Sequence, residues 1–289
     1  MDTPHETSLL AKALWSAGIV MGLAFVAERI GTRIAGLLAG APLSAVLIFF
    51  FVGRDMGIAY IVDSVPHGIA SFSGTLVFVL VYYWTSSRLA RFPALGGAMA
   101  AIAAYLGIAS VLATIPFTLA SGTALTVFVI ALSHWLLRKI DFAALVRPIS
   151  YTAHLLLLRG GVAAALIITV IMLAEILGPR WTGLLVGFPT TLLPTLLIIH
   201  FTHGTAATHA MIRNFPIGMG SIILYILSVP HSFTLWGVYG GTAASLAVAF
   251  TYLSVIMFFG QRWLSPTAQP GGGQHEAAEE LGNADQHRE

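Results

Sequence analysis

Residues 27–42 read AERIGTRIAGLLAGAP, and residues 174–189 read AEILGPRWTGLLVGFP. Nine of the sixteen positions are identical at a shift of 147 residues (174 minus 27), and both copies lie in strongly apolar sequence. An internal repeat decides the architecture of a chain before any other feature is considered. In a membrane protein, matching hydrophobic segments that contain Gly and Pro are the best sequence pointer to a transport site.

The composition indicates an all-α polytopic membrane protein. The chain has 289 residues, a mean hydropathy of +0.87 and 9% charged residues. Each long uncharged stretch can cross about 30 Å of hydrocarbon, and none shows the alternating pattern of a barrel strand. The net charge of +2 does not favour nucleic acid as a partner, and the absence of cysteine excludes disulfides and thiolate metal sites. No cleavable signal peptide is predicted, because an acidic leader, MDTPHETS, precedes the first apolar run.

About nine transmembrane helices are predicted, as two four-helix repeats joined by a linker helix. The spans are 9–30, 34–53, 66–84, 94–115, 118–138, 153–177, 181–201, 215–230 and 234–259. Five crossings separate the starts of the two units, so the units enter the membrane from opposite sides and form an inverted repeat. This depends on a helix boundary at residues 116–117. A single bent helix over 94–138 would make the repeats parallel instead.

The repeat extends beyond its opening motif. Gly57 aligns with Gly204 at the same shift. After three extra residues in the second copy, Pro66, Gly68 and Ser71 align in order with their counterparts Pro216, Gly218 and Ser221. We therefore predict four parts, namely a first repeat (1–116), a linker helix with a cytoplasmic loop (117–150), a second repeat (151–264) and a tail (265–289). The tail is predicted to be disordered because it is polar and has no aromatic residue.

The basic residues of the predicted loops lie mostly on one side of the membrane. That side carries Arg29, Arg33, Arg88, Arg91, Arg138, Lys139, Arg147, Arg213 and Arg262, and the other carries Lys12, Arg54 and Arg180. The richer side is cytoplasmic by the positive-inside rule. The N-terminus is then outside and the C-terminus cytoplasmic.

The second unit resembles the GlpM-like family of small bacterial integral membrane proteins. The residues that carry the resemblance are Gly183, Leu184, Phe188, Pro189, His200, Gly204, Arg213, Gly218, Ser221 and Tyr225. The first unit fits less closely, since Ala41 stands where the second unit has Phe188. The resemblance implies a tandem, fused version of such a unit in a bacterial cytoplasmic (inner) membrane. It implies no particular activity.

Each copy of the repeat carries the pattern Gly-x-x-x-Gly-x-Pro within a predicted span. Proline inside a helix removes a hydrogen bond and displaces a carbonyl, and carbonyls freed at membrane depth need a partner. We predict a pair of broken helices that bind a solute, with a packing face and a tolerated kink as the alternative. The predicted binding residues are Gly36, Gly40, Pro42, Ser44, Gly183, Gly187, Pro189, Thr190 and Thr191.

Four charged residues repeat beside these helices, namely Glu28, Arg33, Glu175 and Arg180. They either pair at the membrane interface or include a carboxylate that titrates during transport. Glu175 is the better candidate for coupling, because Arg29, the neighbour of Glu28, has no basic counterpart in the second copy.

The remaining sequence offers little chemistry. His200, His203 and His209 cluster after the seventh span, where imidazoles bind metals or relay protons. No carboxylate accompanies them, so we predict an amphipathic loop, no metal site and no cofactor. The chain has no nucleophile elbow, zinc-binding helix motif, Walker loop or nucleotide-binding glycine pattern. It is therefore not predicted to be an enzyme.

The leading functional hypothesis is a secondary transporter or permease for a small solute, with an anionic group as one option. Its alternating-access site would lie between the broken helices 34–53 and 181–201. The alternatives are a flippase or export helper for lipid-linked envelope material, and a membrane scaffold that transports nothing. The predicted partners are the lipid bilayer and the solute or lipid-linked substrate. The substrate, the coupling ion and homo-oligomer formation are left open.

Overall fold

A computed structural model describes residues 42–138 and 153–263, together with Leu14, Trp15 and Gly18. The helices are α1 Leu43–Met56, α2 Ile58–Arg88, α3 Pro93–Ala113, α4 Leu119–Leu137, α5 Ala153–Val186 and α6 Leu192–Trp263. No strand occurs within these ranges. Most of the predicted first span, most of the first copy of the repeat motif, residues 139–152 of the predicted linker part and the polar tail lie outside the described residues.

Five stretches in the described part of the chain are long and apolar enough to cross a membrane. They are Ile58–Arg88, Pro93–Ala113, Leu119–Leu137, Leu157–Val186 and Phe215–Ile256. The predicted all-α class is confirmed for the described residues, and the five apolar helices fit the predicted multi-pass membrane protein. Among the described residues, those up to Leu253 belong to one compact unit, and the last helical residues of α6, from Ser254 onwards, belong to a second.

Single glycines interrupt the helical backbone at four positions. Gly57 (φ 94°, ψ 165°) separates α1 from α2, and Gly204 (φ 80°, ψ −177°) interrupts α6. Gly178 in α5 and Gly237 in α6 adopt nearly the same angles. This region of backbone space is accessible almost only to glycine, because a Cβ atom would clash there. Gly57 and Gly204, which the repeat aligns, therefore share a conformation as well as an identity.

The chain folds back on itself at these glycines. A Cβ atom placed on Gly53, four residues before Gly57, would lie 3.1 Å from the side chain of Ile61, four residues after it. A continuous helix would separate residues eight apart by about 12 Å. The hydroxyls of Ser232 and Ser245, on either side of Gly237, are 2.7 Å apart. Helices α5 and α6 therefore comprise the segments 153–177, 179–186, 192–203, 205–236 and 238–263.

The predicted boundary between the fourth and fifth spans is present, because α3 and α4 are two helices joined by residues 114–118. Thr118 begins α4 with a capping box, in which its side chain and that of Ser121 each accept from the other's backbone N–H. The two helices run in opposite directions along α2. Gly97 near the start of α3 packs on Ser86 near the end of α2, whereas Gly122 near the start of α4 packs on Pro66.

The long helix α2 is the centre of the described unit, since it packs against α1, α3, α4 and α5. Its 31 residues span roughly 46 Å. The reversals at Gly57 and Gly178 lie at its first end, because the Tyr60 hydroxyl bonds both the Ala174 carbonyl and Thr182 Oγ1. The reversal at Gly204 lies at its other end. Both ends of α2 are therefore in contact with helix reversals.

Two predicted boundaries are wrong for the same reason. The predicted span 66–84 is the longer helix Ile58–Arg88, and residues 205–214, predicted as a loop, are helical. Hydropathy ends a span at charged residues such as Asp63 and Arg213. A single-residue reversal leaves no loop for these residues, so they lie in the first turns of the next helix.

Replacing the reversal glycines tests the backbone argument. Gly57→Ala and Gly204→Ala should each lower the free energy of unfolding by about 1–3 kcal/mol, because alanine is strained at their angles. Collision with other parts of the fold does not contribute, since no atom beyond the local backbone lies within 4 Å of a Cβ at either position. Thermal unfolding in detergent measures the effect. The matched controls are Gly107→Ala and Gly161→Ala, which also have open space but ordinary helical angles. These should gain up to about 1 kcal/mol, and equal losses in both pairs would contradict the assignment.

Candidate functional site

The second copy of the repeat motif contains a break in the helix. Helix α5 ends at Val186 and α6 begins at Leu192, with Pro189 in the interval. The backbone N–H of Phe188 donates to Leu185 at 3.0 Å, and the N–H of Leu193 donates to Pro189 at 2.9 Å. The predicted broken helix is therefore present over residues 187–191.

Two glycines bring this break into contact with α2. A Cβ atom on Gly183 would collide with the Ser64 carbonyl and lie 2.7 Å from the Gly68 nitrogen. A Cβ atom on Gly187 would lie 2.7 Å from the Ser71 Cβ. No side chain fits at either position without displacing the backbone of α2. The Gly-x-x-x-Gly pattern thus has the packing role that sequence analysis gave as its alternative.

The carbonyls freed by the break are satisfied by neighbouring helices. The Thr75 hydroxyl of α2 donates to the Gly187 carbonyl, and the Tyr105 hydroxyl of α3 donates to the Leu184 carbonyl. The Tyr105 ring also packs edge-on against Phe188, with centroids 5.2 Å apart. These donors meet the requirement that backbone polar groups at membrane depth be paired. Both carbonyls are thereby occupied by protein.

Thr190 is the polar group at the break whose hydroxyl is not satisfied. Its side chain is fully buried, and its Oγ1 has no hydrogen-bond partner. A buried hydroxyl without a partner is destabilising by about 1–3 kcal/mol. Thr191 is half-buried, and its carbonyl accepts from Thr195 at 2.7 Å. Of the predicted binding residues that the structure describes, Thr190 is therefore the one whose hydroxyl is buried without a hydrogen-bond partner.

The first copy is described only from Pro42 onwards. Pro42 is buried and precedes α1, where its carbonyl accepts from the Val46 N–H at 2.8 Å. Ser44 is half-buried in the first turn of α1. Gly36, Gly40, Glu28 and Arg33 lie outside the described residues, so their assigned roles stay predictions.

The predicted coupling residues of the second copy lie near the first end of α2. Glu175 is exposed. Arg180 is also exposed, and its guanidinium donates to the Ala113 carbonyl at 3.1 Å. His67 donates from Nε2 to the Ile115 carbonyl at 3.1 Å. Arg180 and His67 thus cap the carboxyl end of α3 together, a partnership that sequence analysis did not predict. The coupling role of Glu175 stays a prediction.

The histidines after the break bind hydroxyl groups. His200 contacts Tyr82 and Thr205, His209 contacts Ser86, and His203 contacts the adjacent Thr202. Among the described residues, no group of three or more His, Cys, Asp or Glu side chains is arranged to hold a metal ion.

The face of α2 that receives the break was not predicted from the sequence. This face carries small and hydroxyl residues at spacings of four, three and four, namely Ser64, Gly68, Ser71 and Thr75. That spacing places them on one side of a helix, and it was the signal available in the sequence. Tyr82, further along α2, is fully buried, and its hydroxyl lies 2.9 Å from Nδ1 of His200.

Comparisons with known family models, with characterised proteins and with solved structures each find no match to this chain. The resemblance of the second unit to GlpM-like proteins therefore stays a prediction.

Replacing the hydroxyl donor at the break tests its role. Thr75→Val keeps the side-chain shape but leaves the buried Gly187 carbonyl unpaired, so the free energy of unfolding should fall by about 1–3 kcal/mol. The matched control is Thr169→Val, because the exposed Thr169 bonds only a carbonyl of its own helix, that of Ala165. Denaturation in detergent should show little change for the control. Equal losses in the two variants would contradict the role assigned to Thr75.

Proposed function

We propose that this protein is a secondary transporter or permease for a small solute, whose site lies at the helix break over residues 187–191. The observation that carries the proposal is the buried, unpartnered Thr190 hydroxyl beside the start of α6. Helix N-termini present free N–H groups and a partial positive charge, so an anionic or hydrogen-bond-accepting group is favoured there. Broken helices with this arrangement are typical of transporter sites.

We propose further that the chain contains nine spans as two inverted four-helix repeats, in a bacterial inner membrane with the N-terminus outside. Three observations support this layout. Gly57 and Gly204 have the same backbone conformation. Helices α3 and α4 are separate and antiparallel. The broken helix (179–203) runs in the same direction as α2. Thr182 near its start contacts Tyr60 near the start of α2, and His200 near its end contacts Tyr82 near the end of α2.

Transport would follow from a change in the contact between α2 and the broken helix. The glycines of the break leave no side chain between the two backbones, so a small shift there alters access to Thr190. In the inverted-repeat scheme, one repeat rocks against the other around a fixed site. The sequence has no nucleotide-binding motif, which leaves an ion or proton gradient, or facilitated diffusion, as the energy source.

Accessibility of Thr190 tests the proposal, because the chain has no native cysteine. A membrane-impermeant thiol reagent should label Thr190→Cys from both sides of the membrane, in right-side-out and inverted vesicles. Ser87→Cys and Ile115→Cys are matched controls at exposed positions near opposite ends of α2, and each should label from one side only. A non-transporting scaffold predicts no labelling of Thr190→Cys from either side. Labelling only by lipid-soluble reagents would favour the flippase alternative.

Reporter fusions test the proposed orientation. A fusion after Arg147 should report a cytoplasmic location, and a fusion at Arg54 a periplasmic one, because basic residues are retained in the cytoplasm. Expression level, measured by immunoblot, controls for unstable fusions. The inverted repeat would be excluded if both fusions reported the same side.

A further inference from the structure

Two histidines lie at the end of α2 that is remote from Gly57. His200 is buried, with Nδ1 2.9 Å from the Tyr82 hydroxyl and Nε2 3.1 Å from Thr205 Oγ1. His209 has Nε2 3.0 Å from Ser86 Oγ, and its ring packs on Tyr83 with centroids 4.6 Å apart. The two imidazoles flank the reversal at Gly204 and together join it to α2.

The chemistry of these partners suits a proton-binding group. A hydroxyl both donates and accepts, so His200 is satisfied in either neutral tautomer, and both of its nitrogens can donate when it is protonated. Ser86 also has a second acceptor for its own proton, the Tyr83 carbonyl at 3.2 Å. His67 differs, because its partner is a backbone carbonyl that accepts only. Hydroxyl partners thus allow a change of protonation that a carbonyl partner does not.

Among the described residues, the charged groups near the pair are basic. Arg88 and Arg91 lie at the end of α2 and before α3, while His203 and Arg213 lie on α6. The described residues include three acidic side chains, Asp55, Asp63 and Glu175, and all three lie near the reversals at the opposite end of α2. Burial, and then the charge of nearby His200, lower the pKa of His209 to about 4. Protonation of one imidazole therefore opposes protonation of the other.

The pair is mechanically connected to the helix break. Tyr82 lies seven residues after Thr75, which places it on the same face of α2 and about 10 Å along the axis. Thr75 binds the Gly187 carbonyl, and His200 lies on the segment 192–203 that follows the break. A charge in the His200–Tyr82 contact therefore acts on the same helix pair that encloses Thr190.

We propose that His200 and His209 form the proton-binding site that couples the proposed transport to a pH gradient, an inference that rests on the proposed function. A proton from water at the basic end of α2 binds one ring nitrogen, forms an N–H bond and leaves an imidazolium. Because an ion is poorly solvated in a packed contact, the segment 192–203 separates from α2 until the charge meets water. Release of the proton to water restores the neutral imidazole and the closed contact.

The coupling is measured by labelling Thr190→Cys with a membrane-impermeant organomercurial at pH 7.5 and pH 5. Folded His209 has a pKa of about 4, against 6.5 for an unperturbed histidine. Its neutral form therefore stabilises the closed contact near pH 7, and this stabilisation is lost as the pH falls below 6.5 towards 4. From pH 7.5 to pH 5, the rate at which Thr190→Cys is labelled from the side of the basic end of α2 should rise on the order of tenfold, relative to the rate for Ser87→Cys.

The variant His200→Gln/His209→Gln, which keeps hydrogen-bonding groups, should abolish this pH response. His134→Gln is the matched control, since His134 is exposed on α4, and it should leave the response intact. The coupling would be overturned if labelling of Thr190→Cys with both histidines present did not depend on pH, or if the double variant kept the same pH dependence. If Thr190→Cys is never labelled, the proposed function fails instead.

Proton binding is measured separately by NMR of protein with 13C-labelled histidine. Two signals, one missing in His200→Gln and the other in His209→Gln, should shift as the pH is lowered, and removal of His200 should raise the titration midpoint of His209. This result supports the proton site even if the transporter proposal fails. Two histidines that stay neutral down to pH 3.5 would overturn the proton site itself.

Discussion

A helix can be interrupted inside an apolar bundle only if the backbone groups that the interruption releases are paired by other parts of the protein. The break over residues 187–191 meets this requirement through two hydroxyls, from Thr75 and Tyr105, on two different helices. These donors reach the backbone because Gly183 and Gly187 let α5 approach α2 without intervening side chains. Close approach and hydrogen bonding therefore depend on each other.

The same helix supplies contacts to several neighbours from different faces. One face of α2 receives the broken helix, while α3 and α4 pack on the others and run in opposite directions. The Thr126 hydroxyl of α4 donates to the Ile69 carbonyl of α2 at 2.7 Å, so a hydroxyl-to-carbonyl hydrogen bond joins α4 to α2 as well. Its two ends differ in chemistry as well. The described acidic residues lie near one end together with Arg54 and Arg180, whereas the other end has basic residues and the two bonded histidines. The helix thus carries the packing, and the charges near its two ends differ.

Much of the helical layout was predictable, because the apolar stretches are long and the motif of the break is repeated. The broken helix followed from Pro189, and the boundary between α3 and α4 from Pro116 and Phe117. The single-residue reversals were not predictable, since a hydropathy profile shows a charged residue such as Asp63 as a loop whether or not the backbone remains helical. The partners of the break were also missed. Hydroxyl residues on α2 and α3 have no local signal for which distant carbonyl they will meet, because that depends on how the helices pack.

The reversals at Gly57 and Gly204 limit how the two copies of the repeat can diverge in length. A single residue joins the flanking helices, so any insertion beside it enters a helix and rotates everything beyond by about 100° per residue. The second copy has three more residues than the first between this glycine and the conserved Pro66/Pro216 position. Three residues are close to one turn and leave the helix face about 60° from its original direction. Gene duplicates built on such reversals can therefore change length by about whole turns and keep the same residues in contact.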